Sequence, residues 1–234
     1  MIPKKLIQFW HNYPDLPDIY SVAFAKNSSQ NQDFETLYAN DEFVIELLEE
    51  KFPTCLLALY KANKIAASRS DIARLALLYE FGGVYLDAAI QLNTSLTRFL
   101  DLQSEVILIK RDDMEKYQDC PDKAHFWNGM IAAKPKSEFI KSCIETQINN
   151  LISGAYNNDV RAATGPVVIN QISIEEPNHI LEALSFKTLK NGFLDHLRIP
   201  GLANSWIPLQ KNGIIDEEAL AELKNTYRNP IRIG

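Results

Sequence analysis

The 234-residue sequence has no run of about 18 apolar residues, so no transmembrane helix is expected. Its opening, Met1-Ile2-Pro3-Lys4-Lys5 and a short apolar run ending at His11-Asn12-Tyr13-Pro14, lacks the apolar core and small-residue cleavage site of a signal peptide. Cysteine is scarce. Cys55, Cys120 and Cys143 are odd in number and without CxxC spacing, which argues against disulfides or a zinc site and for buried thiols in a reducing compartment. A cytoplasmic location is the expectation. Charge of one sign is missing too: the net charge is −6 with no long run of like charge, so nothing suggests a nucleic-acid partner. Internal repeats, low-complexity linkers and an obvious pair of hydrolytic carboxylates are also absent.

What is present reads as alternating strands and helices. With 46% hydrophobic and 23% charged residues, the chain suits one soluble domain over residues 1–234, with a helical tail from about residue 216. Lys5 to Trp10 reads as a strand that breaks at Asn12-Tyr13-Pro14, and Phe34 to Tyr38 as a second extended segment. A helix opens near Asp41, with Phe43, Val44, Leu47 and Leu48 at helical spacing. Ile65 to Phe81 is the clearest helix, and Gly82 stands where it should stop. Val84 to Asp87 is then a buried strand. Further strands are expected at Val106–Ile109 and Met130–Ala133, and helices at Ser137–Ile152 and Val167–Ile174. Asp216 to Tyr227 is amphipathic. The rhythm predicts an α/β fold.

Three short segments carry chemistry. In Ser68-Arg69-Ser70-Asp71-Ile72-Ala73-Arg74, residues three apart share a helix face, so Ser68, Asp71 and Arg74 project together. One reading is a capping box, with Ser68 capping the helix and Asp71 reaching back to it. The other is a fork in which an acceptor and a guanidinium hold a polar ligand. In Gly82-Gly83 one glycine serves the helix end, and a second before a buried strand suits a close backbone approach. Asp87 ends the apolar Val84-Tyr85-Leu86 strand. That puts it at a carboxyl-terminal strand edge, where open α/β sheets bind ligands.

The segments Ile2-Pro3-Lys4-Lys5-Leu6-Ile7-Gln8-Phe9-Trp10, Ala67 to Arg74 and Leu78-Tyr79-Glu80-Phe81-Gly82-Gly83-Val84-Tyr85-Leu86-Asp87, in that order, resemble the DXD-motif sugar-nucleotide glycosyltransferases of family 32. That family includes bacterial capsular and lipooligosaccharide (lipopolysaccharide-type) transferases and yeast mannosyltransferases. Phe126-Trp127-Asn128-Gly129-Met130 and the turn Ala163-Thr164-Gly165-Pro166 extend the resemblance to about residue 174.

The resemblance implies a GT-A type, Rossmann-like nucleotide-binding fold with a mostly parallel central sheet flanked by helices. It implies retaining transfer of a sugar, from a UDP-sugar or similar donor to a saccharide or lipid-linked acceptor. With no membrane span expected, peripheral membrane association stays open. Carried over by position, Gln8, Phe9 and Trp10 border the nucleoside, with Trp10 facing the base. Ser68, Asp71, Arg74, Gly83, Tyr85, Asp87 and Gly129 complete the donor-binding set. Asp87, Arg74 and Asn128 are the implied catalytic residues, and Asp87 is the implied metal ligand. The chain departs from the family at the metal, because Asp87-Ala88-Ala89 replaces Asp-X-Asp. Ala89 takes the place of the usual direct ligand, so Mn²⁺ or Mg²⁺ carries over only in weakened form. Asn204-Ser205-Trp206 is the candidate for the family's C-terminal site element, His196 reads as structural or surface, and Asp112 to Ala124 reads as a loop that helps choose the acceptor. An enzyme and a non-catalytic sugar-nucleotide or glycan-binding protein are the two function classes in play.

Overall fold

The structure is a computed structural model that describes residues 1–112, 126–175, 181–201, 205–227 and 232–233. Its centre is β1 (Lys5–Phe9), whose side chains are buried on both faces from Leu6 onward, as a strand covered on two sides requires. β1 pairs in parallel with β2 (Glu35–Ala39) on one flank and β3 (Gly83–Asp87) on the other. β6 (Phe126–Ala133) runs antiparallel between β3 and β5 (Val106–Lys110), and β7 (Leu181–Ser185) pairs in parallel with β5. The sheet order is β2-β1-β3-β6-β5-β7, with only β6 reversed. The carboxyl ends of β1 and β3 therefore meet the start of β6 along one edge.

Strand alternation divides the core between two faces. Ile7, Tyr85, Leu108 and Ile131 pack on one side against α2 (Asp41–Lys51), α3 (Thr54–Ala62), α4 (Ala66–Phe81), α5 (Glu138–Ser153), α6 (Val160–Ala163) and α7 (Pro166–Glu175). Leu6, Val84, Leu86 and Ile107 pack on the other side, against Leu92 and Leu194 of a two-stranded sheet of β4 (Ile90–Leu92) and β8 (Leu194–His196), and against α8 (Phe186–Lys190). Two further elements lie late in the chain. α9 (Trp206–Leu209) lies beside the cleft, and α10 (Glu217–Thr226) buries Leu220 and Leu223 in the first core, so the amphipathic tail is part of the packed body. Cys55 and Cys143 are buried thiols, and Cys120 lies outside the described residues. Among the described residues no helix is long and apolar enough to cross a membrane.

Helix α1 (Asp18–Gln30) was not expected from the sequence. Its buried face holds Tyr20, Ala23, Phe24 and the polar Asn27, while Ile19 and Val22 point outward, so its apolar residues do not form a single stripe. Asn27 substitutes hydrogen bonds for hydrophobicity: its Nδ2 donates to the Ile90 carbonyl at 2.8 Å and its Oδ1 accepts from Leu92 N at 2.7 Å, which ties α1 to β4.

The capping-box reading of Ser68 is overturned. α4 begins earlier, at Ala66, and the Asn63 side chain accepts from Ile65 N, so Ser68 and Asp71 lie inside the helix and are buried.

The two glycines both act structurally. Gly82 closes α4 at φ 61°. Gly83 has φ 113°, and a Cβ there would stand 2.5 Å from the Lys5 carbonyl oxygen, so this glycine lets β3 lie against β1. It starts β3 and is four residues from Asp87, at the opposite sheet edge, which removes it from the donor-binding set. Gly83→Ala is expected to cost roughly 1 to 3 kcal/mol from backbone strain alone, with the overlap adding to it. Urea unfolding checks this; a stability equal to wild type would contradict the packing role.

Candidate functional site

At the carboxyl ends of β1 and β3 a cleft of about 560 Å³ opens, within the range of small-molecule sites. Helix α4 runs beneath it and brings Ser70, Asp71 and Arg74 to its floor, while Asp87 enters from the end of β3. The β3–β6 register pairs Leu86 with Met130, so Asn128 at the start of β6 arrives beside the strand end. Four of the expected residues thus converge. Arg74 Nη1 donates to Asp71 Oδ1 at 2.6 Å and Nη2 donates to Asp87 Oδ1 at 2.7 Å. Asn128 Nδ2 donates to Asp71 Oδ1 at 2.8 Å.

The network is anchored from below. Thr164 Oγ1, in the turn before α7, lies 3.2 Å from Asp71 Oδ2 and 3.1 Å from Ser68 Oγ, and Asn63 Nδ2 donates to Ser68 Oγ at 2.6 Å. Gln147 Nε2 on α5 donates to the carbonyls of Asp71 and Thr164. Tyr85 lies under Arg74, with the guanidinium 4.9 Å from its ring centre. Ser68 and Tyr85 are therefore supports of the site and do not line it. Arg74, expected as a clamp on diphosphate, is 4% exposed and spends both terminal nitrogens on carboxylates. Its role in the fold is to hold two acids in place.

Burial pushes the Asp71 carboxyl up to about 6; Arg74 opposes the rise and Asp87 adds to it. Burial disfavours the Arg74 charge, but Asp87, Tyr85 and Asp71 outweigh it and raise its pKa. A carboxyl raised in the folded state binds more protons there than in the unfolded chain. Asp71's contribution to stability is thus fully present below its unfolded value and is lost as pH rises through about 6. Urea unfolding of wild type and Asp71→Asn should show wild type losing ground to the variant between about pH 4 and pH 7. A pH-independent difference would contradict this.

Of the strand β1 residues, Phe9 lines the cleft, as does Trp10 just beyond the strand. Trp10 Nε1 donates to the Asp15 carbonyl, which fixes the ring, and Tyr20 meets it edge-on. Gln8, expected beside them, is fully buried away from the cleft, because strand alternation turns it to the other face; its amide has no hydrogen-bond partner among the described residues. Gly129 has a steric reason: a Cβ there would stand 2.3 Å from the Trp127 ring, so the glycine gives that ring its place.

Several residues of the cleft were not anticipated. Trp127, Arg111, Arg161, His11 and Tyr20 line it. Ser205 and Trp206 line it too, so the suspected C-terminal element reaches the site; Asn204 and residues 113–125, which include most of the expected acceptor loop, lie outside the described residues. All three tryptophans of the chain face one cleft, a convergence the isolated sequence positions did not reveal. His196, read as structural or surface, stands at the end of β8 opposite Ile90, with its ring centre 5.7 Å from that of Trp127.

Among the described residues the donor set does not fit a divalent cation. Asp87 Oδ1 is engaged by Arg74, leaving one carboxylate oxygen, and Ala88 and Ala89 bring no oxygen from their side chains. Among the described residues no group of three His, Cys, Asp or Glu side chains could hold a metal. Hard cations need several oxygen ligands. What the cleft does offer is fixed acceptors, cationic side chains and aromatic faces.

Residues 17–112 match the family described as glycosyltransferase sugar-binding region containing DXD motif. The chain is 30% identical over 136 residues to an uncharacterized glycosyltransferase, L373, of Acanthamoeba polyphaga mimivirus, covering 58% of this chain and 51% of that protein. It therefore spans about half the length of that relative. Among solved structures, the PaToxG glycosyltransferase superposes with a TM-score of 0.58 at 18% identity, over 96% of this chain and 78% of the other. The UDP-bound glycosyltransferase domain of the YGT toxin gives 0.51 at 10% identity, over 96% and 89%. The fold is GT-A, with the mostly parallel, helix-flanked sheet expected from the sequence.

Proposed function

We propose that this chain is a glycosyltransferase that moves a sugar, with retention, from a nucleoside diphosphate donor of the UDP-sugar kind to a saccharide or lipid-linked acceptor. The observation that carries the reading is the convergence of Asp71, Arg74, Asp87 and Asn128 at the carboxyl edge of the sheet, in a cleft with Trp10 on its wall. The match to a DXD sugar-binding region and the UDP in the YGT toxin neighbour support it.

In this reading the base lies on the Trp10 face and the sugar hydroxyls meet Asp71, Asp87 and Asn128. Arg74 holds both acids still and contributes through them, since groups fixed in advance need no reorganisation as charge develops. The bond between the anomeric carbon and the phosphate oxygen breaks, and its electron pair leaves with the diphosphate. The acceptor oxygen bonds to the anomeric carbon and passes its proton to an oxygen of the departing diphosphate. Asp71, buried and with both carboxylate oxygens already accepting from Arg74, Asn128 and Thr164, suits a fixed acceptor better than a mobile base.

The lone Asp87 before two alanines favours a second reading, a binding protein that retains the nucleotide-sugar site without turnover. One experiment addresses both. The chain is incubated with UDP-sugars and GDP-sugars, with and without saccharide acceptors, and free nucleoside diphosphate is measured beside calorimetric binding. Release that rises with an acceptor is expected. Binding without release favours the second reading, and neither binding nor release rejects both.

A further inference from the structure

Trp127 stands where the regular pleat of β6 would not put it. Pairing with β5 runs through Leu108–Ile131 and then jumps to Ile109–Trp127, so Asn128, Gly129 and Met130 bulge out of the β5 register. In an unbroken strand Trp127 would share the face of Ile131, toward α4 and α5. It packs instead on the opposite face of the sheet, beside Phe186, while Phe126 takes the Ile131 side. The bulge has exchanged the two faces, and irregularities of this kind serve to re-aim a side chain next to a site.

The re-aimed ring is seated from three directions. A Cβ at Gly129 would stand 2.3 Å from Cζ2 of the indole and 2.4 Å from Cε2, so only glycine leaves room for it. Phe186 and His196 each meet it edge-on, with ring centres 4.7 and 5.7 Å away. The indole is nonetheless only half-buried, and it lines the cleft with Asp87, Ala88 and Ala89. The two alanines lie close by: Leu197, the residue after His196, donates its N–H to the Ala89 carbonyl at 2.7 Å. Their methyl groups leave space beside the ring. A large flat aromatic that is turned out of the regular strand, fixed in place and left open to a cleft presents a surface for a ligand.

Sheet order says which ligand. Trp10 follows β1, Asp87 ends β3, and Asn128 and Trp127 start β6, in adjacent strands about 4.8 Å apart. With the base on Trp10 and the transferred sugar among Asp71, Asp87 and Asn128, Trp127 lies at the end of the row away from the base. A pyranose ring has a face of weakly polar C–H bonds, and such a face rests well on the electron-rich face of an aromatic ring. We infer that Trp127 is the platform for a pyranose ring of the acceptor, so that the acceptor is recognised through its own sugar ring, whatever carries that sugar. The inference rests on the nucleotide-sugar reading of the cleft and narrows its acceptor.

The test is saturation-transfer NMR and calorimetry on the full chain, with UDP or GDP present and with the methyl pyranosides of glucose, galactose, mannose and N-acetylglucosamine as probes. Wild type is compared with Trp127→Phe, which keeps an aromatic face, and Trp127→Leu, which keeps apolar bulk against Phe186. Gly129→Ala, which crowds the indole without removing it, is the second loss variant, and melting temperatures verify that each protein is folded. At least one pyranoside should bind wild type, with saturation transfer concentrated on the C–H protons of one ring face. Its affinity should fall on the order of tenfold in Trp127→Leu and in Gly129→Ala, and by less than about threefold in Trp127→Phe. Nucleoside diphosphate affinity should change by less than about threefold in all of them. Pyranoside binding equal in wild type and both loss variants, or absent from wild type while a nucleotide binds, overturns the inference and leaves the nucleotide-sugar reading intact. Loss variants that weaken UDP-glucose or GDP-mannose but no pyranoside assign the ring to the donor sugar and overturn it too. If no nucleotide binds wild type, the nucleotide-sugar reading fails and the inference falls with it.

Discussion

Replacing Arg74 by methionine is expected to cost on the order of 3 to 5 kcal/mol of folding stability, the penalty for leaving a buried charge without its partner. Arg74 is 4% exposed and bonds two carboxylates, at 2.6 and 2.7 Å. Methionine fills much of the volume and removes every donor, so Asp71 and Asp87 would face each other with only Asn128 and Thr164 to temper the repulsion. At this chain length the loss corresponds to a melting temperature lower by roughly 10 °C. Arg74→Lys restores charge without the fork and should fall between the two. Arg74→Met combined with Asp71→Asn should be less destabilised than Arg74→Met alone, because one of the stranded charges has gone. Thermal and urea unfolding of the four proteins measure this. A melting temperature for Arg74→Met equal to wild type would mean that the triad is not the buried network described here.

Asp87→Asn is expected to lower turnover on the order of 100-fold, the scale of loss when a reacting group is slightly misplaced. The substitution keeps size and shape and removes one negative charge. Arg74 keeps an amide oxygen as acceptor but loses the charge of one of its two carboxylates, and any hydroxyl that Asp87 accepts from loses a charged partner. Stability should change much less than in Arg74→Met, since Asp87 is the member of the triad nearest solvent, with 30% of its side chain exposed. Release of nucleoside diphosphate from the donor, measured with melting temperature on the same preparation, separates the two effects. Unchanged turnover would remove Asp87 from the chemistry.

The parts of the fold that were legible in the sequence are those where one physical signal dominates. β1, α4 and β3 are continuous apolar or periodic segments, with α4 closed by Gly82, and they lie where the pattern placed them. α1 was not legible because its buried face is finished by Asn27, whose hydrogen bonds to β4 exist only after folding. The convergence of Asp71, Arg74, Asp87 and Asn128 followed from the motifs, but their division of labour did not. Nothing in the spacing of Arg74 said that both its nitrogens would be used internally. Gln8 and Gly83 were misplaced for related reasons: strand alternation turns one inward, and a backbone contact with Lys5 explains the other. Trp127 and Trp206 needed tertiary structure, since one arrives on the reversed strand β6 and the other from a separate turn late in the chain.

Because Trp10, Trp127 and Trp206 are the chain's only tryptophans and all line the cleft, intrinsic fluorescence reports on this site directly. Titrating UDP, GDP and their sugar conjugates while recording that fluorescence is the most direct test that the cleft at the ends of β1 and β3 holds a nucleotide sugar. The expected result is a saturable change with one nucleotide class. In Trp10→Ala it should be weakened by about 1 to 3 kcal/mol of affinity, as for a base stacked on an aromatic ring. Calorimetric binding with no fluorescence change, or Trp10→Ala binding as wild type does, would place the nucleotide elsewhere and contradict the site described here.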